Sequence, residues 1–363
     1  MEINQICAAA VRVGASDIHI KVGSPPMVRI NGEIRAIPRA PNVTQEIAGQ
    51  MAWSMMSTAQ REQFKATSDL DLGYEVPKVG RFRVNVFRQR GRVGLVLRTI
   101  PTQVKTIDEL QLPPVLKKIA GNQRGMILMT GVTGSGKSTT LASMIEEINR
   151  TSAHHILTIE DPIEFSFVDK RSVINQREVG NDSKTFKAAL RAALRQDPDV
   201  IFLGELRDRE TMEIALSAAE TGHLVLGTLH TLNATEAISR IIDFFDPHHH
   251  AQLRHQLAGV LSAVISQRLV PRVGGGRVAA VEVMINTGTI SECIVDPDRT
   301  KEIGDFITAG TAQYGTQSFD QSLYWHHKKG VITLEDALRF ANNPDDLELR
   351  LSGISGEDWI EPE

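Results

Sequence analysis

Residues 131–139 read Gly131-Val132-Thr133-Gly134-Ser135-Gly136-Lys137-Ser138-Thr139, which fits the phosphate-loop pattern G-x-x-x-x-G-K-[ST]. The apolar residues 126–130 predict a buried strand that enters this loop, and the apolar positions 141, 144, 145 and 148 predict a helix that leaves it. Glycines allow the backbone N–H groups to face a polyphosphate, and the helix N-terminus adds partial positive charge. The pattern therefore predicts binding of ATP together with Mg²⁺.

The side chains of this loop have separate expected tasks. We expect Lys137 to reach the β- and γ-phosphates, and we expect the Ser138 hydroxyl to ligate Mg²⁺. The nucleotide-binding residues predicted in the loop are Thr133, Gly134, Ser135, Gly136, Lys137, Ser138 and Thr139.

The composition is that of a globular protein with a mild negative charge. Of the 363 residues, 41% are apolar and 23% are charged, and the formal net charge is −4. The length predicts two domains. The negative charge and an aromatic content of only 5% argue against a nucleic-acid-binding surface. The sequence contains no window of about 18 apolar residues, so we expect no membrane span.

The order of helix and strand patterns predicts an α/β protein preceded by a smaller α+β domain. Residues 1–100 contain short strands and helices predicted at 3–13 and 44–64, and residues 101–114, which include two adjacent prolines, form the predicted linker. In residues 115–363 strands alternate with helices, which predicts a mainly parallel sheet and a helical tail from about residue 318. The strands predicted in this part are 126–130, 155–160, 200–205, 224–230 and 278–285.

Three apolar strands of the predicted sheet end in polar residues. The first is followed by Glu160, Asp161 and Glu164, the second by Glu205, and the third by His230. Because ligands gather at the carboxyl ends of parallel strands, these side chains and the phosphate loop should meet one nucleotide. We expect Glu205 to orient or activate the attacking water, and we expect His230 either to contact the γ-phosphate or to sense its loss. The acidic residues after the first strand should share the contacts to Mg²⁺ and water.

Arginines in two segments are candidates for contact with a triphosphate. Arg191 and Arg195 are four residues apart in a predicted helix, so they should share one face. Alternation in the strand at 81–86 puts Arg81 and Arg83 on the face opposite its apolar residues. Such a face could meet a triphosphate across a domain or subunit boundary, where an arginine that completes a site contributes about 10³–10⁵ in rate.

Further segments match a known family, and the most specific are an acidic box at 159–164 (IEDPIE) and a histidine box at 220–231. The other matching segments are 14–19 (GASDIH), 80–85 (GRFRVN), 196–208, 264–269 (VISQRL) and 275–280 (GGRVAA). Together with the phosphate loop, these segments resemble the type IV pilus twitching-motility ATPases, the retraction branch of the secretion-ATPase superfamily. The resemblance covers nearly the whole chain.

The resemblance implies a PAS-like N-terminal domain and a RecA-like C-terminal ATPase domain. It implies a cytoplasmic homo-hexamer that docks on an inner-membrane pilus platform protein and powers pilus retraction by ATP hydrolysis. It also implies that Glu205 is the catalytic glutamate, that the acidic box and His230 line the site, and that Arg83 and Arg98 reach the nucleotide. Other branches commonly carry a four-cysteine zinc module, and this sequence has only two cysteines, which favours the retraction branch.

Other functions are open at the level of the sequence. Retraction ATPases usually carry a segment like Ala-Ile-Arg-Asn-Leu-Ile-Arg-Glu after the last sheet strand, whereas residues 288–294 here read GTISECI. An accessory or altered paralogue is therefore an alternative. A RecA-like nucleic-acid translocase, a small-molecule kinase and a module that binds ATP without hydrolysing it are further alternatives.

Overall fold

The computed structural model describes residues 2–354, 359 and 361, and these residues divide into two compact units. The N-terminal unit comprises Met1–Gln103, Glu160–Val168 and Arg177–Lys184. The C-terminal unit comprises Val104–Ile159, Asp169–Gln176 and Thr185–Glu363. Two short segments from the later part of the sequence therefore pack with the N-terminal residues.

The N-terminal unit is built on an antiparallel sheet. Its helices and strands are α1 (Ile3–Arg12), β1 (Asp17–Lys21), β2 (Met27–Ile30), β3 (Glu33–Ala36), α2 (Gln45–Met55), α3 (Thr58–Thr67), β4 (Asp69–Val76), β5 (Gly80–Gln89) and β6 (Arg92–Thr99). Within the described residues, the sheet has the strand order β3-β2-β1-β6-β5-β4, and each strand runs antiparallel to its neighbours.

Alternation along β5 separates the core of this unit from its surface. Phe82, Val84 and Val86 are fully buried, whereas Arg83 between them is exposed. The three apolar side chains belong to a cluster that also includes residues of α1, α2 and β6. The separation of faces predicted along this strand is therefore confirmed.

The helical stretch predicted at 44–64 is confirmed, but it consists of two helices, α2 and α3, with a break between them. Met56 is extended (φ −101°, ψ 137°), and Ser57 is the N-cap of α3. The side chains of Ser57 and Gln60 each accept a hydrogen bond from the other residue's backbone N–H, which forms a capping box. A serine with a glutamine three residues later is thus the local signal for a new helix start.

The C-terminal unit contains a mixed sheet. Its strands are β7 (Gly125–Thr130), β8 (His155–Glu160), β9 (Val173–Glu178), β10 (Val200–Leu203), β11 (Leu224–Leu229), β12 (Leu261–Pro271) and β13 (Arg277–Ile285). In the part of the chain that the structure describes, their order is β13-β12-β7-β11-β10-β8-β9. The strands from β12 to β8 in this order run parallel to one another, and β13 runs antiparallel to β12. The prediction of a mainly parallel sheet is confirmed.

Helices accompany this sheet. They are α4 (Val115–Ala120), α5 (Lys137–Thr151), α6 (Phe186–Ala193), α7 (Arg209–Glu220), α8 (Ala234–Asp243), α9 (His250–Val260), α10 (Gly288–Val295), α11 (Ile303–Ala309), α12 (Thr311–Tyr314), α13 (Phe319–Lys328), α14 (Leu334–Phe340) and α15 (Pro344–Leu351). The tail predicted to be helical from about residue 318 is helical as far as α15, and residues 355–358, 360, 362 and 363 lie outside the described part. Of the helices in the described residues, none is both long and apolar enough to cross a bilayer.

The strands predicted in the C-terminal part are confirmed, but β10 and β11 end earlier than predicted and two others were not predicted. β10 ends at Leu203, so Glu205 lies beyond the strand and not at its last position. β9 and β12 were missed. In β12 the polar residues Ser266 and Gln267 are buried, and they interrupt the apolar run that would have indicated a strand.

Candidate nucleotide-binding site

The phosphate-loop motif lies between β7 and α5, as predicted. Gly131, Gly134 and Gly136 have φ values of 141°, 81° and 90°, which residues with a Cβ rarely adopt. A Cβ at Gly131 would lie 2.6 Å from the carbonyl oxygen of Gln267, and a Cβ at Gly136 would lie 2.6 Å from its Nε2. At Gly134 a Cβ would meet no described atom within 4 Å. The loop therefore needs glycine for its backbone direction at three positions and for close approach at two of them.

Lys137 begins α5 and directs its ammonium group back toward the loop. The residue is 8% exposed, and its Nζ donates hydrogen bonds to the carbonyl oxygens of Gly131 (2.5 Å) and Val132 (3.1 Å). These bonds hold a positive charge beside the backbone that would surround a phosphate group.

The loop fits a polyphosphate through its remaining donors. The Oγ of Ser135 is shielded from solvent and has no hydrogen-bond partner among the described residues, whereas Thr133 and Gly134 are exposed. Ser138 and Thr139 are half-buried in the first turn of α5, a helix of 15 residues. Helix N-terminal N–H groups, a lysine and unpaired hydroxyls are the groups that bind phosphate oxygens. The Ser138 hydroxyl is of the type that ligates Mg²⁺ in such loops.

Gln267 of β12 contacts this loop, a contact that the sequence did not predict. Its Nε2 donates a hydrogen bond to the carbonyl oxygen of Ser135 at 2.7 Å, and its Oε1 accepts one from the hydroxyl of Thr140 at 2.7 Å. A polar residue inside an otherwise apolar strand was the available signal. Its partner could not be read from the sequence, because Ser135 and Gln267 are 132 residues apart.

Glu205 and His230 meet at the carboxyl ends of β10 and β11. The Nε2 of His230 lies 3.3 Å from Oε1 of Glu205, and Nη2 of Arg207 donates a hydrogen bond to Oε2 of Glu205 at 2.6 Å. The carboxylate thus lies between an imidazole and a guanidinium group. The approach of Glu205 to His230 follows from the strand order, whereas the contact with Arg207 was not predicted.

The pKa of Glu205 lies below the ordinary value of a glutamate. The hydrogen bond from Arg207 is the largest cause, partial burial acts in the opposite direction, and the charge of Arg207 and the nearby His230 add to the lowering. Glu205 is therefore a carboxylate at neutral pH. In this form it can accept a hydrogen bond from a water molecule, which is what a water-orienting or general-base group must do.

Hydrogen bonds between strand ends fix the backbone on both sides of Glu205. The hydroxyl of Thr228 donates to the carbonyl oxygen of Gly204 at 2.5 Å, and the N–H of Leu206 donates to the carbonyl oxygen of Thr228 at 3.0 Å. On the other side, the N–H of Gly204 donates to the carbonyl oxygen of Ile159 at 2.8 Å. The segment that presents Glu205 is therefore tied to both neighbouring strands, β11 and β8.

The acidic box begins with the last two residues of β8, and its residues 160–164 belong to the N-terminal unit. Glu160 is the buried last residue of β8, and its Oε2 accepts a hydrogen bond from the N–H of Glu164 at 3.3 Å. Asp161 and the Glu164 side chain are exposed. The N–H of Ile163 donates to Oε2 of the buried residue Glu178 at 3.2 Å. Two adjacent N–H groups at the C-terminal end of the box are thus each held by a buried carboxylate.

Arg81 forms an ion pair within the N-terminal unit. Its Nη2 donates to Oε2 of Glu178 at 3.0 Å, and its side chain is 21% exposed. Arg81 is therefore not part of an open arginine surface, although alternation puts it on the same strand face as Arg83. Arg81 and Glu178 are 97 residues apart, so the sequence offered no sign of this pair.

Arg83 and Arg98 are exposed neighbours on the sheet of the N-terminal unit. Arg83 of β5 is directly opposite Arg98 of β6, and Arg98 is opposite Asp17 of β1. The Nε of Arg98 donates to Oδ1 of Asp17 at 2.9 Å. Burial tends to raise the pKa of Asp17, but hydrogen bonds from Arg98 and Ser16 outweigh it and hold this pKa below its ordinary value. Contact of Arg83 and Arg98 with nucleotide stays a prediction.

The expectation that Arg191 and Arg195 share one helix face is wrong. α6 ends at Ala193, and Arg195 lies in the turn that follows. Its Nη1 donates to the carbonyl oxygen of Arg191 at 3.3 Å, and both arginines are exposed. A role for either residue in binding nucleotide stays a prediction.

Comparison with known proteins identifies similar chains. A family model described as "Type II/IV secretion system protein" matches residues 1–311. The type IV pilus retraction ATPase PilT of Pseudomonas aeruginosa is 45% identical over 95% of this chain and 99% of its own length. The type IV pilus ATPase PilU of the same organism is 41% identical over 97% of this chain and 91% of its own length.

Solved structures show the same similarity. The crystal structure of the pilus retraction motor PilT with bound ADP has a TM-score of 0.87 and 46% sequence identity, and the match covers 96% of this chain and 99% of that one. The structure of the Legionella pneumophila ATPase DotB has a TM-score of 0.78 and 29% identity, with coverage of 97% and 95%.

Proposed function

Because this chain belongs to the type II/IV secretion system protein family, we propose that it hydrolyses ATP to power the retraction of type IV pili. The 45% identity to a pilus retraction ATPase and the structural similarity to a pilus retraction motor with bound ADP support this function. Both comparisons cover at least 95% of the chain, which favours the same activity for the whole protein and not for one segment of it.

The observation that carries the proposal is that the phosphate loop and the Glu205–His230 pair follow three strands that are neighbours in the sheet. β7 leads into the loop, β11 lies next to it and ends before His230, and β10 lies next to β11 and ends before Glu205. The carboxyl ends of these parallel strands are where a nucleotide binds in open α/β sheets.

The residues of this arrangement match the needs of ATP hydrolysis, which requires a held triphosphate and an oriented water. Loop residues 133–139 would bind the phosphates, with Lys137 on the β- and γ-phosphates. Ser138 would hold Mg²⁺, which when bound offsets the charge of the phosphate oxygens. Glu205 would accept a hydrogen bond from the attacking water, and His230 would contact the γ-phosphate.

Other predicted contributors are part of the same proposal. The carboxylates of Glu160, Asp161 and Glu164 would add contacts to metal and water. Arginines would add positive charge near the triphosphate, and the candidates are Arg83, Arg98, Arg191 and Arg195.

We also propose the assembly that the family resemblance implies. The N-terminal unit would be a PAS-like domain and the C-terminal unit a RecA-like ATPase domain. The protein would form a cytoplasmic homo-hexamer that docks on an inner-membrane pilus platform protein.

Phosphate release under steady-state conditions tests the enzymatic part of this proposal. Lys137→Ala should abolish binding of a fluorescent ATP analogue, because the ammonium group contacts the phosphates. Glu205→Gln should retain binding, because its effect is on the water, and should lower kcat by about 10²–10⁴. Full activity of the Glu205→Gln protein would remove Glu205 from its proposed role.

An accessory paralogue is the second candidate function. The 41% identity to PilU and the divergent segment at 288–294 favour it. Expression in a bacterium that lacks its own retraction ATPase separates the two candidates. A main motor should restore twitching alone, whereas an accessory ATPase should restore it only beside a second retraction ATPase.

A nucleic-acid translocase is separated from both candidates by the response to DNA. We expect single-stranded DNA to leave the rate of phosphate release unchanged, because the chain has a net charge of −4 and few aromatic residues. DNA-stimulated hydrolysis together with salt-sensitive binding would favour the translocase.

A further inference from the structure

Gln267 is bonded to both ends of the segment that joins the phosphate loop to α5. Its Nε2 reaches the carbonyl oxygen of Ser135, directly before the N-cap residue Gly136, and its Oε1 reaches the hydroxyl of Thr140 in the first turn of the helix. The residue is 3% exposed, so both hydrogen bonds are shielded from water. One amide group thereby spans the region whose N–H groups would face a bound phosphate.

The orientation of this amide is set by its partners. The carbonyl of Ser135 can only accept a hydrogen bond, so the NH₂ group of Gln267 must face it. The amide oxygen is then directed at Thr140, whose hydroxyl donates to it. A side chain of similar size that lacks either function would leave a buried polar group without a partner, which is costly.

The main chain of Gln267 also borders the loop. Its carbonyl oxygen occupies the space that a Cβ on Gly131 would need, and its Nε2 occupies the space that a Cβ on Gly136 would need. β12 runs parallel to β7, with Ser266 opposite Thr130 at the point where β7 enters the loop. Gln267 therefore contacts the loop at its entrance, near its end and at the first turn of α5.

We infer that Gln267 is a positioning residue of the nucleotide site. It acts through Ser135 and Thr140, and it holds the loop in the curl whose backbone N–H groups and Lys137 receive the phosphates. It does not touch the nucleotide in this scheme. The inference rests on the proposed function, because it assumes that MgATP binds this loop.

Nucleotide affinity measured on the full-length chain tests this role. Gln267→Met keeps the length of the side chain and removes both hydrogen bonds, so the Kd for MgATP should rise about tenfold or more. Gln267→Glu puts a carboxylate oxygen against the Ser135 carbonyl and should weaken binding further at neutral pH. Because the loop acts on binding, KM should rise by a larger factor than kcat falls.

Gln317→Met is the matched control. Gln317 is also 3% exposed, and its Nε2 also donates to a backbone carbonyl oxygen, that of Val281 in β13, at 2.7 Å. This variant should lose a comparable amount of stability in urea unfolding, yet its Kd for MgATP should stay within about twofold of the wild-type value. A purely structural role for Gln267 predicts instead that the two variants behave alike in both measurements.

The possible results separate this inference from the proposed function. If the wild-type protein does not bind MgATP, the proposed function fails and the inference fails with it. If the wild type binds and Gln267→Met binds equally well, the inference alone is overturned.

Should Gln267→Met fail to fold, Thr140→Val decides: it removes only the hydroxyl that donates to Gln267. A rise in Kd of about threefold or more supports the inference, and an unchanged Kd overturns it.

Discussion

The protonation state of Glu205 depends on one neighbour more than on its burial. The hydrogen bond from Arg207 is the largest cause of its lowered pKa and outweighs desolvation. A carboxylate with a lowered folded-state pKa contributes stability above its unfolded-state pKa, and this stability is lost as pH falls through the folded-state pKa. The same shift keeps the group ionised, and so able to orient water, at more acidic pH than an ordinary glutamate.

Arg207→Ala should therefore move the acidic limb of the pH–rate profile to higher pH. Without the guanidinium group, partial burial is less opposed, so Glu205 becomes protonated at a higher pH and activity falls earlier on acidification. The measurement is kcat/KM for ATP hydrolysis as a function of pH. Arg209→Ala is the matched control, since Arg209 is bonded to Glu213 and Asp246 and not to Glu205. Equal profiles for Arg207→Ala and the wild type would contradict the expected role of Arg207.

The glycines of the phosphate loop allow two kinds of strain to be separated. Gly136→Ala combines a φ of 90° with a Cβ placed 2.6 Å from Nε2 of Gln267, whereas Gly134→Ala has a φ of 81° and open space around the Cβ. We expect Gly134→Ala to lower the free energy of unfolding by about 1–2 kcal/mol through backbone strain alone. Gly136→Ala should lose more and should also lose nucleotide binding, because Gln267 must move. Urea unfolding and MgATP titration of both variants check this, and equal losses would argue against the close contact.

At this scale, the sequence predicted residues that follow strands, and it missed residues that act through partners. Glu205 and His230 were found because each follows an apolar run, and parallel strands bring such positions together. Arg207, Gln267 and Glu178 were not found as partners. Their contacts depend on side-chain directions or on strand pairings between residues far apart in the chain, and neither appears in a local pattern.

At the scale of elements, a buried carboxylate joins β13 to the start of α8. Oε1 of Glu282 accepts hydrogen bonds from the N–H of Ala234 at 2.8 Å and from the hydroxyl of Ser266 at 3.0 Å. Burial raises the pKa of Glu282, and these two hydrogen bonds oppose it only in part. Since α8 follows the loop that contains His230, this contact fixes the C-terminal end of residues 231–234, which connect the histidine to the helix.

Glu282→Gln should gain stability relative to the wild type as pH rises. Because the folded-state pKa of Glu282 is raised, its stabilising contribution is present below the unfolded-state pKa and is lost as pH rises through the folded-state pKa. Glutamine keeps an oxygen acceptor and cannot ionise. Urea unfolding at mildly acidic and mildly alkaline pH should show a difference between variant and wild type that grows with pH.

Glu282→Met is the control: it should share this pH trend and be less stable than Glu282→Gln throughout, because Ala234 loses its acceptor. A pH-independent difference would show that burial does not perturb Glu282.

The elements that the sequence predicted wrongly or missed each have their own physical reason. The helix predicted at 44–64 breaks because Ser57 and Gln60 form a new cap, and a local capping preference interrupted an otherwise helical pattern. β12 was missed because Ser266 and Gln267 are polar residues that are buried with partners, which a hydrophobicity pattern counts as surface. Arg195 lies outside α6 because the spacing of apolar residues indicates the face of a helix and does not define its last residue.

At the scale of the whole molecule, the alternation of strands and helices predicted an α/β fold, and the comparison with a solved structure confirms it. Packing assigned two later segments to the N-terminal unit, Glu160–Val168 and Arg177–Lys184. The ion pair between Arg81 and Glu178 illustrates why this was not foreseen, since it joins residues 97 positions apart. Long-range contacts of this kind assign segments to a compact unit far from them in sequence. A division of the sequence into continuous domains cannot show this.

The proposed ring predicts a particular behaviour in solution. Purified protein with MgATP, in the slowly hydrolysing Glu205→Gln form, should give a particle six times the mass of the chain by light scattering. Lys137→Ala is the control: it should not respond to added MgATP, because it cannot hold the triphosphate on which any nucleotide-dependent change of assembly depends. Association should also make phosphate release per chain rise with protein concentration and level off once assembly is complete.

A strictly monomeric wild-type protein that hydrolyses ATP at a concentration-independent rate would contradict the ring and leave the nucleotide site intact. If Lys137→Ala forms the same hexamer without nucleotide, contacts between the protein surfaces stabilise the ring and bound triphosphate is not needed for assembly.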